Sequence, residues 1–184
     1  DQAYSNRLVD FVEKGDLMLT DLGYFKLSVF QQITAKGAYF LSKLLIGTTL
    51  LNADTSEKID LRATLRSFVG NTLEMNVIMG NDKHPVPCRL IGFRATKQIA
   101  DTRSRKLRKE AKKKGRTPSK NHLALCDWTL FVTNAPSEML PVTIVFSLYR
   151  LRWQIELIFK QLKSVLRIHS SHTAKECRLK CEIL

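Results

Sequence analysis

Apolar residues recur along this chain with two different periods, and the changes of period mark its elements. Asp16 to Thr20 is a short, largely apolar run that ends at Asp21 with Gly23 close behind, the pattern of a buried strand stopping at a turn. Lys26 to Lys36 carries the period of a helix, with Gly37 placed to cap it, and Tyr39 to Leu45 predicts the next strand. Beyond Gly47 the chain alternates instead. Ile59, Leu61, Ala63 and Leu65 alternate with Asp60, Arg62, Thr64 and Arg66, and Leu73, Met75, Val77 and Met79 repeat the scheme. Gly80 to Pro85 supplies a turn, after which Val86, Cys88 and Leu90 alternate again. Cys126, Trp128, Leu130 and Val132 do so once more before Asn134, Ala135 and Pro136 end the run. Alternation of this kind predicts half-buried antiparallel strands.

The helical period returns near the end of the chain. Leu148, Leu151, Ile155, Phe159, Leu162 and Leu166 form an apolar stripe able to dock on a core. Along its edge, Tyr149, Arg152, Glu156 and Lys163 fall within an arc of roughly 60°, with Lys160 beside them. A carboxylate flanked by an aromatic hydroxyl and cations suits a place where a metal and nucleic-acid phosphates meet. By residue type alone, the same edge also reads as solvated pairs spaced four residues apart on an amphipathic helix.

Charge sharpens the choice of partner. With 30 Lys and Arg against 17 Asp and Glu, the formal net charge is +13, which favours a polyanion, and nucleic acid over a membrane surface. Much of the excess lies in one run, where Arg103, Arg105, Lys106, Arg108, Lys109, Lys112, Lys113, Lys114 and Arg116 face Glu110 alone. Such a run is either a solvated basic loop or an arm that folds on DNA and gains affinity by counterion release.

The remaining composition excludes more than it assigns. Cys88, Cys126, Cys177 and Cys181 contain no C-x2-C pair, and with His169 and His172 they match no common zinc module, so buried thiols in a reducing cytosol are expected. The apolar run near Tyr39 to Leu51 is broken by Ser42 and Lys43 and is too short for a bilayer. The chain opens at Asp1 without Met and closes at Leu184 in a helical pattern, so a fragment is expected.

The spacing Y-x2-R-x3-E-x6-K at Tyr149, Arg152, Glu156 and Lys163 resembles the signature of the DDE transposases of bacterial insertion sequences, specifically the insertion sequence 4 family. Tyr-Arg-Leu-Arg-Trp-Gln-Ile-Glu and Phe-Lys-Gln-Leu-Lys-Ser are similar to that family's text, and so is Thr20-Asp21-Leu22-Gly23-Tyr24-Phe25, where Asp21 matches the family's second Asp. The resemblance implies an α/β fold. Residues 1–46 and 128–184 would form an RNase H-like core, a mixed sheet with flanking helices, and residues 47–127 a β-rich insertion bearing the basic arm at 103–116.

It also implies a reaction. Asp21 and Glu156 would hold Mg²⁺ (or Mn²⁺) and cleave DNA at transposon ends before strand transfer. Tyr149, Arg152 and Lys163 would contact phosphates near the end, with Lys160 beside them on the helix as a further DNA-binding cation, and Trp128 would stack on a flipped base. The expected partners are double-stranded DNA, as ends and as target, and a second copy on paired ends, in the bacterial cytoplasm at the nucleoid. The family's first catalytic Asp should precede Asp21 by several tens of residues; Asp1, Asp10 and Asp16 lie too close to serve. The competing reading is therefore a catalytically inactive DNA-binding remnant.

Overall fold

A computed structural model of the chain describes residue 7 and residues 9–81 and 84–165. Six strands form one sheet: β1 (Leu17–Thr20), β2 (Tyr39–Lys43), β3 (Leu50–Asn52), β4 (Thr72–Met79), β5 (Val86–Arg94) and β6 (Trp128–Thr133), in the order β1-β2-β6-β5-β4-β3. β1 and β2 run parallel, joined by the helix α1 (Leu27–Ala35), and every other neighbouring pair is antiparallel. This is the mixed α/β sheet with flanking helices that the sequence predicts, consistent with an RNase H-like domain. β6 lies between β2 and β5, so the strands of residues 47–127 continue the sheet begun by β1 and β2.

α1 forms where its period requires. Val29, Phe30 and Ile33 are buried, and Phe30 stacks on Phe40 of β2 at 4.3 Å between ring centroids and meets Phe25 edge-on at 5.1 Å. Gly37, at φ +70°, ends the helix: its N–H donates to the Thr34 carbonyl and that of Ala38 to Ile33, satisfying two terminal carbonyls.

One predicted strand is a helix. Residues Leu61–Ser67 form α2, because Asp60 caps it with Oδ1 accepting from the N–H groups of Arg62 and Ala63, each at 3.1 Å. Leu61, Leu65 and Phe68 share one face of that helix, Leu65 being buried and the other two packed against the core. The alternation at Ile59 to Leu65 was thus shared with a helical spacing, and the cap decides between them. The basic run is likewise neither loop nor disordered arm. From Arg103 to Lys113 it lies within α3 (Lys97–Lys113), whose end is closed at Gly115 with φ +63° by a bond from the Arg116 N–H to the Ala111 carbonyl. A short helix α4 (Lys120–Ala124) leads into β6.

The long helix α5 (Val142–Val165) follows β6 through a connector. The chain divides into two compact units, residues 1–143 and 144–184, and nearly all of α5 belongs to the second. Leu151, Ile155, Phe159 and Leu162 of the apolar stripe are exposed among the described residues. Leu166, His169, His172, Cys177 and Cys181 lie outside the described residues. Among the described residues no helix is long and apolar enough to cross a membrane.

Candidate functional site

Asp21 leaves the carboxyl end of β1, where parallel α/β sheets commonly present ligand-binding side chains. It is half-buried in extended conformation, and its carbonyl accepts the Tyr24 N–H at 3.0 Å, so a 3-10 turn at Leu22–Tyr24 fixes the backbone that carries the carboxylate. A cavity of about 340 Å³ opens at the same turn. Leu22, Leu44, Leu107 and Leu125 give it apolar walls, and Lys43, Arg103 and His122 add basic groups.

On α5, within the second unit, the polar edge is a ladder. Arg152 donates from Nη1 to Glu156 Oε1 at 2.7 Å, and its guanidinium carbon lies 5.6 Å from the Tyr149 ring centroid. Successive turns thus place an aromatic ring, a cation and a carboxylate in contact along one edge, with the exposed Lys160 a turn further on. The Lys163 side chain lies outside the described residues. Asp21 belongs to the first unit and Glu156 to the second. Both are hard oxygen donors of the kind Mg²⁺ or Mn²⁺ takes, which fits the implied metal in chemistry. Among the described residues no three His, Cys, Asp or Glu side chains group to hold a metal ion.

Trp128 opens β6 and is only 4% exposed. Phe68 meets its ring edge-on at 5.9 Å, and the Arg94 guanidinium carbon lies 4.6 Å from its centroid. In this structure Trp128 is a core ring with a cation on it.

The cations of α3 divide into two sets. Ala100, Arg103, Ser104, Leu107 and Ala111 are buried or half-buried at the spacing of a docked helix face. Arg103 belongs to that face: Nη1 donates to the Trp128 carbonyl at 3.0 Å and Nη2 to Thr129 Oγ1 at 2.9 Å. It therefore anchors α3 to β6, unlike its neighbours in the run. Arg105, Lys106, Arg108, Lys109, Lys112 and Lys113 are exposed on the helix, and Lys114 and Arg116 continue the exposed series beyond it. Together they form a preformed basic ridge that runs about 12 Å along the helix from Arg105 to Lys113 and continues past its end. Lys112 and Lys113, in the last turn, also complement the helix dipole.

Two structurally decisive residues escaped the sequence reading. Asn134 follows β6, and its side chain accepts from the Phe40 N–H at 2.8 Å while donating to the Ala38 carbonyl and to Thr34 Oγ1, each at 3.0 Å. Arg89, 8% exposed within β5, donates from Nε and Nη2 to Glu74 Oε1 and from Nη1 to the carbonyls of Ala135 and Leu140. A charged residue between Cys88 and Leu90 in an otherwise apolar run was the only signal for Arg89, and nothing local marked Asn134 beyond its place at a strand end.

Residues 2–184 match the model of the family described as "Transposase DDE domain". The chain is 30% identical over 199 residues to the transposase for insertion sequence element IS231F of Bacillus thuringiensis subsp. israelensis, covering 100% of this chain and 42% of that protein. It is 29% identical over 197 residues to the transposase for insertion sequence element IS1151 of Clostridium perfringens, covering 98% of this chain and 42% of that protein. The chain thus spans less than half the length of these curated relatives. No solved structure matches it. The chain belongs to the transposase DDE domain family.

Proposed function

We propose that this chain is the part of an insertion-sequence transposase that supplies two of its catalytic carboxylates, Asp21 and Glu156, and much of its DNA-binding surface. The observation that carries the reading is the Tyr149, Arg152 and Glu156 ladder on α5, in a chain matching the DDE domain along nearly its whole length. Its spacing agrees with the Y-R-E-K signature and with assignment to the insertion sequence 4 family.

Asp21 and Glu156 would hold Mg²⁺ or Mn²⁺, which when bound activates a water or a 3′-hydroxyl and offsets charge on the attacked phosphodiester. Arg152, its guanidinium between Tyr149 and Glu156, orients the carboxylate through a charge-assisted hydrogen bond. Tyr149, Arg152, Lys160 and Lys163 bind phosphates beside the scissile bond, Arg as a planar fork and Lys as point charges. The exposed cations of α3 hold duplex DNA through its phosphates, without reading its sequence. Residues 47–127 act as an insertion between two parts of the catalytic core. The protein works as a homodimer on paired ends in the bacterial cytoplasm, at the nucleoid.

The test is cleavage of a duplex carrying one element end with its flank, by the complete protein with Mg²⁺ and with Glu156→Gln or Asp21→Asn. Both variants are expected to lose cutting and keep binding. Cutting that survives Glu156→Gln overturns the assignment. Binding by the unsubstituted protein with no metal-dependent cutting makes it a DNA-binding remnant.

A further inference from the structure

We propose that Arg89 is a positioning residue for strand cleavage, acting through the connector from which the Glu156 helix grows; the proposal rests on the cleavage activity proposed above. The connector runs from the end of β6 at Thr133 to the start of α5 at Val142. It makes a turn, with the N–H groups of Met139 and Leu140 donating to the Pro136 carbonyl, and buries Ala135 and Leu140. Arg89 Nη1 reaches both ends of that turn, donating to the Ala135 carbonyl at 2.7 Å and to that of Leu140 at 3.2 Å. One rigid guanidinium therefore fixes the distance across the turn.

The guanidinium is itself immobilised. Nε donates to Glu74 Oε1 at 2.8 Å, and Nη2 completes the fork on the same oxygen, tying Arg89 to the neighbouring strand β4. Thr133 and Asn134 secure the other side of the connector. Thr133 Oγ1 donates to the Phe40 carbonyl and accepts the Ala135 N–H, while Asn134 spans to Ala38 and Phe40. The connector is thus held from β2 and from β5, the two strands that flank β6. Leu140 lies two residues before α5, so motion at its carbonyl passes directly into the first turn of the helix that carries Glu156. A side chain buried in the middle of a sheet, bonded to two carbonyls of one turn, is not needed to hold the strands, whose own ladder is complete from Thr72 to Met79. What it adds is the geometry of the turn.

The variants are Arg89→Lys, which keeps the charge but has no planar fork to hold Glu74 while a separate nitrogen bonds the two carbonyls, and Arg89→Met with Glu74→Met, which removes the pair together and leaves no buried charge alone. Three quantities are read in the complete protein: single-turnover cleavage of the end duplex, its affinity without metal, and hydrogen exchange of the metal-free protein over residues 134–150. Both folded variants are expected to keep end affinity within about twofold. Their cleavage rate should fall by on the order of a hundredfold, as for a reacting group misplaced by about 1 Å, with Arg89→Lys less affected than the double variant. Exchange should rise in the connector and first turns of α5 while β4 and β5 stay protected. A folded variant with unchanged cleavage, or with exchange raised throughout the sheet, overturns the proposal. So does failure of both variants to fold, which makes Arg89 a stability element only. If the unsubstituted protein does not cut, the cleavage reading fails first, and unchanged connector exchange would then overturn the anchoring as well.

Discussion

If the ridge of α3 carries DNA phosphates, its removal has a magnitude that geometry sets in advance. Lys106, Lys109, Lys112 and Lys113 are exposed, so changing all four to Gln removes charge without opening the core. Each phosphate neutralised contributes about −0.9 to the slope of log affinity against log salt, and four contacts about −3.6. Raising salt from about 50 to about 200 mM therefore weakens the unsubstituted protein about 150-fold more than the variant. The assay is fluorescence anisotropy of a labelled duplex in metal-free buffer across that range. A thermal melt serves as control, because losing Lys112 and Lys113 also removes up to about 1 kcal/mol each of helix-dipole stabilisation. A folded variant whose slope changes by less than about 1 refutes the ridge as a phosphate surface. An equal loss of affinity at every salt concentration refutes it too, because that pattern belongs to contacts that release no counterions.

Arg103→Ala acts differently from its neighbours: it strips donors from the Trp128 carbonyl and Thr129 and should cost about 2 kcal/mol in urea unfolding, with almost no change in salt slope. Asn134→Ala leaves the Phe40 N–H and Ala38 carbonyl without their side-chain partner and should cost about 2–4 kcal/mol by the same measurement. Gly80→Ala places a Cβ against the His84 carbonyl oxygen at φ +100°, and a melting temperature within a degree of the parent's would contradict that turn. Burial pushes the Cys88 thiol up to about 12, so alkylation mapped by mass spectrometry at pH 8 should spare Cys88 in the folded protein. Because that shift is upward, its stabilising effect is whole below the unfolded value near 9 and is lost as pH climbs from there towards 12.

The sheet was legible because most of its strands announce themselves by alternation or by short apolar runs between turns. β4 and β5 pair residue for residue from Thr72 with Phe93 to Met79 with Val86, on either side of the turn that the glycine and proline mark. α2 was misread because a seven-residue element shows barely two turns of either period, and Asp60, whose two bonds settle the matter, looks in sequence like any polar position of a strand. The site was legible only where it is local. Tyr149, Arg152 and Glu156 lie within two turns of one helix, so their spacing already gives their contact, whereas Arg89 meets Ala135 and Leu140 across 46 and 51 residues. Nothing in the local pattern encodes which carbonyls a strand arginine will find.

The helix at residues 97–113 changes what its charge means. A disordered basic run must order its backbone on binding, at about 1–2 kcal/mol per residue fixed, and that cost would consume most of what a handful of phosphate contacts returns. Here the order is already present. Ala100, Leu107 and Ala111 face inward, Arg103 is bolted to β6, and Gly115 closes the end. The outward cations are consequently held at fixed spacing on a rigid element, so they meet a duplex at the cost of side-chain freedom alone. The single arginine that fails to point outward is therefore the reason the others can: it supplies the fixed base on which the ridge stands.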